Sequence, residues 1–457
     1  MALSANTVFE VRNGGSDTNG GGFVTGASGT DWSQQTAAQY SVTDGVTAGS
    51  TIITSATAAF GTDVVGNIIY VQGGTGAVSS GWYQIITRTS STTITVDRLT
   101  GLTSGTGVTL KVGGAFASPG TAAGVATVAG MKTFIKYSST PFTVSSTTNN
   151  VSGGCISGTA DTAYCGYDTT RSLYNTDANR ATVKLSSSTG SATTVFTNLN
   201  AHYLLQSLIV DASSVAGSRC AQMSGEYFNV KGMGGVTAGL SQNSAIGRAI
   251  LCEVTGCSAT PINIVSMFWC VSHDNTLSSP SNVGAIQGQD GGAIYGCLSY
   301  SNNCDGIVPG SHTIVSNCAV YGNGGAGINA QNNYGNIINC ISENNTTYGY
   351  RVNAGQIIMI NCASYNNTLG RFQNAASGIQ WTDLNPITGS GSFFTNAAGG
   401  VFTLNNTAGA GALCRAAGFP TSIPTSTSNA DYADTGALQS SAGGSGTTTA
   451  IYGVMGS

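Results

Sequence analysis

The sequence predicts an all-β solenoid, in which one supersecondary unit is stacked on copies of itself. Three observations predict it: a cysteine–asparagine register, a composition rich in glycine, and the absence of helical periodicity. In the register an asparagine stands five residues after each cysteine, and the last three cysteines are evenly spaced. A fixed period of about 20–25 residues is typical of solenoids. The register contains Cys270, Cys297, Cys318, Cys340 and Cys362, with Asn275, Asn302, Asn323, Asn345 and Asn367.

The composition agrees with this fold class and excludes several functions. Of the 457 residues 65 are glycine, a residue that costs about 1 kcal/mol in a helix interior. Charged residues make up 7% against about 25% in ordinary domains, but the apolar share of 40% argues against disorder. The 15 Lys and Arg form no basic patch, so we expect no nucleic-acid partner. No apolar run reaches about 18 residues, so we expect no membrane insertion.

The N-terminal residues, 1–50, are interpreted as a cap of the solenoid. A short apolar run, Val8–Val11, precedes the glycine-rich residues 13–22, which we interpret as a corner that needs positive φ. A phosphate-binding loop is disfavoured because no Lys-Ser/Thr pair and no helix follow. Residues 34–42 are interpreted as one short helix that seals the end. The first ten residues lack a basic stretch and an apolar core, so we expect no signal peptide.

Residues 51–116 are predicted to form a small antiparallel barrel or sandwich. Short β-prone runs alternate there with glycine- and serine-rich turns, and strands at such spacing favour this architecture. We expect the module to be set into, or to lie beside, the first coils. The predicted strands are residues 51–54, 67–71, 82–86 and 92–96.

The solenoid itself is predicted over residues 117–375. Good strand candidates are residues 133–137, 181–185 and 204–211, and the period tightens after Cys252. Residues 376–457 lose the repeat and are rich in Gly, Ala, Ser and Thr. Three interpretations of that last region stay open: a meandering cap, a trimer-forming end, or a partly extended arm.

The repeat cysteines are predicted to be free and buried. Equivalent cysteines in adjacent coils lie about 4.8 Å apart, but an inward column behaves more often as a ladder of small hydrophobes. We expect this ladder at Cys318, Cys340 and Cys362. The chain has no CxxC pair and three histidines, too few for a zinc cluster, so we expect no metal and no cofactor.

The repeat asparagines are interpreted as a second structural ladder. An asparagine at a bend adopts the left-handed conformation readily, and stacked amides bond the copies above and below. A calcium-binding repeat is disfavoured because acidic residues are missing from these places.

A further column stands three residues after each repeat cysteine and is predicted to point outward, since alternate side chains of a strand face opposite sides. It contains His273, Tyr300, Tyr321, Glu343 and Tyr365. Exposed aromatic columns attract partners. We consider a subunit interface, a glycan contact and local packing under a loop.

Catalysis is less favoured by the sequence, which identifies no catalytic residue. Glycoside hydrolysis needs two carboxylates at a defined separation. No acid of the regular coils shares a column with another in an adjacent coil, although Asp274 adjoins His273 and loop folding would bring Asp290 near Asp305. Lys and Arg, which a lyase needs, are almost absent from residues 249–350. The acids are Glu253, Asp274, Asp290, Asp305 and Glu343.

The repeats resemble the right-handed parallel β-helix family. The matching elements are residues 314–319 with Asn323, residues 339–341 with Asn345, and residues 361–363 with Asn367. Residues 15–21 are similar to the first turn of such proteins. The resemblance covers more than half of the chain and implies a right-handed parallel β-helix with a small N-terminal antiparallel β module.

The N-terminal stretch, from residues 8–12 through 81–85, resembles surface proteins of tailed bacteriophages. The resemblance implies a homotrimeric tailspike-type protein that binds a host receptor, is assembled in the cytoplasm of the bacterial host, and lies on the virion surface. The implied partners are other copies of the chain, other virion proteins and a host surface glycan. A capsid decoration (cement) protein and a polysaccharide depolymerase, either glycoside hydrolase or lyase, are the alternatives. Against the enzymatic tailspikes, we expect the chain to lack a clear acidic cluster and a separate head-binding domain.

Overall fold

The computed structural model of the chain is almost entirely β-structure. The chain forms two units, residues 1–189 with 195–209, and residues 190–194 with 210–457. The residues described are 8–22, 35–101, 103–125, 132–145, 162–168, 177–187, 194–213, 215–242, 247–331, 335–353, 355–374, 380–405, 410–415 and 436–437.

The first unit combines parallel strands with a separate antiparallel module. Its elements are β1 (Val8–Val11), β2 (Tyr40–Ala48), β3 (Ile52–Thr54), β4 (Ile68–Gln72), β5 (Gly81–Ser90), β6 (Thr93–Val96), β7 (Ser104–Val112), α1 (Pro119–Val125), β8 (Lys132–Lys136), β9 (Phe142–Ser145), β10 (Thr162–Tyr167), β11 (Ala181–Ser187) and β12 (Thr194–Gln206), with single 3-10 turns at Thr62–Val64 and Asp177–Asn179.

The predicted small antiparallel module is confirmed as a closed barrel. Its strands follow the order β2-β3-β6-β5-β4-β7, and the four predicted runs coincide with β3 to β6. Alternate residues point inward, so Ile53, Ile69, Ile94 and Leu110 form part of an aliphatic core.

The helix predicted at residues 34–42 is wrong over its described part, because a strand begins at Tyr40. Tyr40 and Val42 pair with Val112 and Leu110 of β7. The Tyr40 ring lies 5.7 Å from that of Phe60, and its hydroxyl accepts a hydrogen bond from the backbone of Gly61. These long-range partners outweigh the local preference. The helix α1 was not anticipated either.

The glycine-rich residues 13–22 form the tight turn that the sequence predicted. Gly20 and Gly21 donate backbone hydrogen bonds of 2.8 Å to the carbonyls of Gly113 and Gly114. Gly21 has a φ of +90°, and a Cβ there would collide with the ring of Phe116. On either side of the barrel, β1 and β8 pair in parallel, and the parallel pairing continues through β10 and β12.

The second unit is built from short parallel strands. Its elements are β13 (Leu208–Asp211), β14 (Arg219–Phe228), β15 (Lys231–Met233), β16 (Ala238–Ser241), β17 (Arg248–Ile250), β18 (Glu253–Thr255), β19 (Ile262–Ile264), β20 (Ser266–Phe268), β21 (Val271–His273), β22 (Gly284–Gly288), β23 (Ala293–Tyr295), β24 (Leu298–Tyr300), β25 (Asp305–Val308), β26 (Ile314–Ser316), β27 (Ala319–Tyr321), β28 (Ile328–Ala330), β29 (Gly335–Ile338), β30 (Ile341–Glu343), β31 (Tyr348–Val352), β32 (Gln356–Ile360), β33 (Ala363–Tyr365), β34 (Gly370–Asn374), β35 (Gln380–Leu384), β36 (Ile387–Thr388), β37 (Phe394–Asn396), β38 (Val401–Leu404) and α2 (Gly411–Cys414), with a 3-10 turn at Ala397–Gly399.

Three stacks of strands run along this unit, one strand of each per coil. The first stack contains the start of β14, then β16, β19, β22, β25, β28, β31 and β34; the second contains the end of β14, then β17, β20, β23, β26, β29, β32 and β35; the third contains β15, β18, β21, β24, β27, β30, β33 and β36. The described pairings between neighbouring coils are all parallel, as between β27 and β30. The predicted fold is therefore confirmed as a parallel β-solenoid.

Each coil turns sharply between the second and third stacks at a residue with positive φ. Asn317, Asn339 and Asn361 have φ of 53°, 54° and 52° and directly precede the repeat cysteines. A second left-handed residue precedes each ladder asparagine; Asn344, for example, has a φ of 59°. The expectation that the ladder asparagines are themselves left-handed is wrong: the preceding residue makes the bend, which leaves the ladder amide free to point inward.

The last described coil ends at Thr388, and the chain then returns along the third stack. Residues 392–404, which we call the strap, comprise β37, the 3-10 turn and β38. Among the described residues, no helix is both long and apolar enough to span a membrane. Residues 376–379, 406–409, 416–435 and 438–457 of the expected C-terminal region lie outside the described residues.

Candidate functional site

The ladder asparagines are joined coil to coil by their side-chain amides. The Nδ2 atoms of Asn275, Asn302, Asn323 and Asn345 donate to the Oδ1 atom of the next asparagine at 2.7, 2.9, 3.1 and 2.8 Å. The same Oδ1 atoms accept backbone N–H groups, as from Asn345 to Asn367 at 3.0 Å. All five side chains are buried. The ladder therefore satisfies polar groups that burial would otherwise leave unpaired.

A serine column supports the ladder and was missed by the sequence argument. Four of the ladder amides donate to a serine hydroxyl in their own coil, at 2.9–3.1 Å. The serines stand two residues after the repeat cysteines, a spacing that was available as a signal. They are Ser272, Ser299, Ser342 and Ser364.

The repeat thiols are free and buried. Cys318, Cys340 and Cys362 show no solvent exposure, and each Sγ lies 3.3–3.5 Å from the backbone carbonyl two residues earlier. Burial raises the pKa of Cys318 and Cys362 well above the ordinary value. These groups are therefore neutral apolar packing atoms instead of nucleophiles.

The tyrosines of the outward column lie under the strap. The register aligns Tyr300 with Tyr321 in neighbouring coils of the third stack. The Phe402 ring lies 4.8 Å from that of Tyr300 and 5.9 Å from that of Tyr321, and Phe393 lies 6.3 Å from Tyr365. Of the three interpretations of this column, packing under a neighbouring segment describes these contacts.

Glu343, in the same column, holds the strap by a backbone contact. Its side chain is buried, and its Oε2 accepts a hydrogen bond of 2.9 Å from the backbone of Phe393. Burial raises the pKa of Glu343, against the opposing hydrogen bonds from Ser392 and Phe393. This carboxyl therefore anchors a segment of the chain and is not offered to a ligand.

His273, at the start of the column, belongs to a charged cluster. Its Nε2 lies 3.0 Å from Oε1 of Glu253, and its Nδ1 lies 2.7 Å from Oδ2 of Asp274. Lys231 Nζ lies 2.8 Å from the same Glu253 oxygen. The imidazole stacks on the ring of Tyr300 at 4.8 Å with parallel planes. We call Lys231, Glu253, His273 and Asp274 the acid–histidine cluster.

The cluster favours the ionised forms of His273 and Glu253. Burial opposes protonation of His273, but its hydrogen bonds to Glu253 and Asp274 prevail and raise its pKa. Burial also opposes ionisation of Glu253, and the hydrogen bonds from His273 and Lys231 prevail to lower its pKa. Both ring nitrogens are thus occupied by carboxylates, which is the bonding of a bridging imidazolium and not of a free general base.

Sequence reasoning found only part of this cluster. It noted that Asp274 adjoins His273, but Glu253 reaches the histidine from the preceding coil, and Lys231 reaches Glu253 from the coil before that. Lys231 lies outside residues 249–350, the range in which Lys and Arg are scarce. The coil lengths vary before Cys270, so the register that aligns these residues is not visible in the sequence.

The other acids of the coils have separate backbone or amide partners. Asp290 accepts a hydrogen bond of 2.7 Å from the backbone of Ser311. Asp305 accepts hydrogen bonds of 2.6 Å from the backbone of Ala326 and the amide of Asn329. Within the described parts of the chain, no group of three or more His, Cys, Asp or Glu residues is placed to hold a metal ion.

Comparison with known proteins bears on the fold. No protein-family model matches the chain, and no curated protein is detectably similar to it. Among solved structures, the pectate lyase Pel9A is similar at 14% identity over 71% of this chain and 91% of that chain, with a TM-score of 0.44. The tailspike protein gp49 from Pseudomonas phage LKA1 is similar at 11% identity over 77% and 66%, with a TM-score of 0.22. ORF18 of Geobacillus virus E2 is similar at 11% identity over 56% and 53%, with a TM-score of 0.26.

The chain is a parallel β-solenoid protein. Because every one of these identities is low, the likenesses concern the fold and not a substrate or a partner. The functional conclusion must therefore come from the described side chains. Most of the side chains that the sequence singled out form hydrogen bonds or ring contacts with other parts of the same chain, as in the asparagine ladder and under the strap.

Proposed function

We propose that this chain is a structural protein on the outside of a bacteriophage particle, where it assembles as a homotrimer and contacts the host receptor as a tailspike does. The observation that carries the proposal is the ladder of five buried asparagines, which ties successive coils together. Such nearest-neighbour bonding makes a solenoid a durable scaffold. The resemblance of the N-terminal stretch to phage surface proteins supports the proposed location.

A second feature supports an extracellular structural role. Only 7% of the residues are charged, and the repeat thiols are free and buried. A fold with so few ionised contacts is less sensitive to changes in salt concentration, because salt screens mainly exposed charges. We expect such a protein to keep its structure in the varied media that a particle meets.

The test is the position and copy number of the chain in purified particles. Quantitative mass spectrometry should give a few trimers per particle, and antibody labelling in the electron microscope should mark the tail. Hundreds of chains spread over the capsid would instead establish a decoration protein. Absence of the chain from purified particles would contradict both versions.

A polysaccharide depolymerase is the second candidate, because the acid–histidine cluster brings carboxylates, an imidazole and an ammonium group together. Host surface polysaccharide should be incubated with the purified protein and assayed for new reducing or unsaturated ends. Product that disappears in Glu253→Gln would establish the enzyme. No product from the folded protein would remove this candidate and leave the structural role in place.

A further inference from the structure

We propose that residues 447–455 of this chain add a strand to the last coil of the solenoid and cover its end. The surface that they would cover, which we call the end face, is formed by β34, β35 and β36. Each of these strands pairs with the preceding coil, and no strand of the described residues pairs with its other edge. The inference concerns one end of the solenoid and does not depend on the proposed place of the protein on a particle.

The core of the solenoid reaches the surface at the end face. Phe372 and Trp381 continue the inward columns that hold Tyr350 and Ile357 one coil earlier, where both side chains are buried. In the last coil the two rings stack with their centroids 4.1 Å apart, but Trp381 is 42% exposed. The last coil therefore presents core side chains without a further coil to cover them.

The rest of the end face is apolar as well. Leu369 and Leu384, at its margins, are 57% and 47% exposed. An open strand edge beside exposed apolar side chains pairs readily with any other extended chain, which leads to aggregation. Solenoid proteins therefore need a capping segment at their ends. We expect such a segment on this face.

A polar pair in the last coil favours a covering strand over another coil. Asp383 stands in the inward column that holds Met359 one coil earlier, and its Oδ2 lies 2.8 Å from Nη2 of Arg371. The Oδ1 atom of Asp383 is buried and has no hydrogen-bond partner among the described residues. A further coil would bring apolar side chains to this place, whereas the backbone of a covering strand brings N–H donors.

Residues 447–455 have the composition of a strand that adds to an open edge. Their sequence, Thr-Thr-Thr-Ala-Ile-Tyr-Gly-Val-Met, contains β-prone residues and neither charge nor proline. Edge addition of this kind uses main-chain hydrogen bonds, and alternate side chains fill the adjoining surface. Ile451 and Met455 would face one side of the strand and Tyr452 and Val454 the other, so both sides are apolar.

The position of the preceding residues brings this segment within reach of the end face. The backbone N–H of Gly436 donates to the carbonyl of Asn339 at 2.7 Å, and Ala437 is buried. The coil of Asn339 lies two coils before the end face, a distance of about 10 Å. Residues 438–446 can span about 30 Å when extended. The connection is therefore long enough without strain.

Residues 416–435, which also lie outside the described residues, are less suited to the end face. They run between Cys414 and Ala437, which both belong to the buried apolar cluster under the strap. Two prolines in them cannot donate to a strand edge, and two aspartates would place charges on an apolar surface. These four residues are Pro420, Pro424, Asp431 and Asp434.

The first experiment tests the contact and whether it lies within one chain. Leu384→Cys is combined in turn with Ile451→Cys, Tyr452→Cys and Val454→Cys, oxidised, and examined on a non-reducing gel with peptide mapping. At least one pair should form a disulfide within a single chain. Val401→Cys with Ile451→Cys is the matched control and should stay reduced, because Val401 is similarly exposed but lies on the strap. A link between two chains would mean that a second copy covers the end face, and no link in any pair would place the segment elsewhere; either result overturns the inference.

The second experiment measures hydrogen exchange of the strand edge by mass spectrometry. Ile451→Asp with Tyr452→Asp places a charge on each side of the proposed strand, so the amides of β35 should exchange at least about tenfold faster than in the unchanged protein. Ser440→Asp with Ser441→Asp adds the same charge to the connecting residues and should leave β35 unchanged. Equal exchange of β35 in the two variants would contradict a strand at this edge. Faster exchange in every coil would also overturn the inference, because a covering strand protects only the last one.

Discussion

Asn345 illustrates how a single residue in this protein acts on its neighbouring coils. Its Oδ1 accepts both the backbone N–H and the amide of Asn323, and its own amide reaches Asn367 and Ser342. Four groups on three coils therefore depend on one side chain. Such a residue contributes through the cost of leaving buried partners unpaired.

We predict that Asn345→Leu lowers the free energy of unfolding by about 2–4 kcal/mol, because the two buried donors of Asn323 and the acceptor of Asn367 each lose one hydrogen bond. Chemical denaturation followed by circular dichroism measures the change. Asn336→Leu, an outward position on β29, is the control and should change stability by less than about 0.5 kcal/mol. Equal effects at the two positions would show that the ladder adds no specific stability.

His273 makes the stability of its coil dependent on pH. Its pKa is raised in the folded state by Glu253 and Asp274, against the effect of burial. The stabilisation is therefore complete below the pKa of the unfolded histidine and is lost as pH rises through the folded value. We predict that His273→Gln lowers the free energy of unfolding by about 1–3 kcal/mol at pH 5.5 and by much less at pH 9. Melting curves recorded at the two pH values measure the difference.

The control for that titration is His312→Asn. His312 is exposed and has a φ of 58°, a conformation that asparagine tolerates. At pH 5.5 this variant should lose less stability than His273→Gln. A difference between His273→Gln and the unchanged protein that is the same at pH 5.5 and pH 9 would contradict the bridging imidazolium.

The strap is the element that the sequence did not indicate and that covers the tyrosine column in the structure. The sequence left three interpretations of the tyrosine column open, and in the structure residues 392–404 of the same chain pack on it. Phe402 is the central contact, since it packs on Tyr300, Tyr321 and Phe394. The strap therefore seals one face of the solenoid.

We predict that Phe402→Ala destabilises the strap by about 3 kcal/mol or more, because a buried aromatic side chain is lost. The loss should be local, with the strap cleaved by protease while the coils stay intact. Limited proteolysis with mass spectrometry locates the cut. Val401→Ala, at a position 41% exposed, should leave the strap as resistant as before. Global unfolding of Phe402→Ala would mean that the strap is part of the solenoid core.

The elements were predictable to the extent that their signals are local or strictly repeated. The strands β3 to β6 follow from β-prone runs between glycine turns, and the coils follow from the cysteine–asparagine register. The start of β2, at Tyr40–Val42, was not predictable as a strand, because it pairs with β7, from which four other strands separate it along the chain. The strap was not predictable for the same reason. Phe393, Phe394 and Phe402 contact tyrosines that are distant in the sequence, and no local pattern indicates these contacts.

At the scale of the whole molecule, the thiols report on the integrity of the fold. The chain has 12 cysteines, and the 11 described ones are all free and buried. We predict that a water-soluble thiol reagent modifies at most Cys155 in the native protein and all twelve residues in guanidinium, because buried thiols are inert. Rapid modification of several thiols under native conditions would contradict the continuous buried column.

The left-handed corner before each repeat cysteine has a consequence for how such a chain changes its length. Cys318, Cys340 and Cys362 are evenly spaced, and each corner returns the backbone to an equivalent position one coil further on. If one whole coil were removed or duplicated, each asparagine and each thiol of the repeat would still lie next to an equivalent residue in the neighbouring coil. Evolution and protein engineering are thus free to extend or trim this part of the protein in increments of about 4.8 Å.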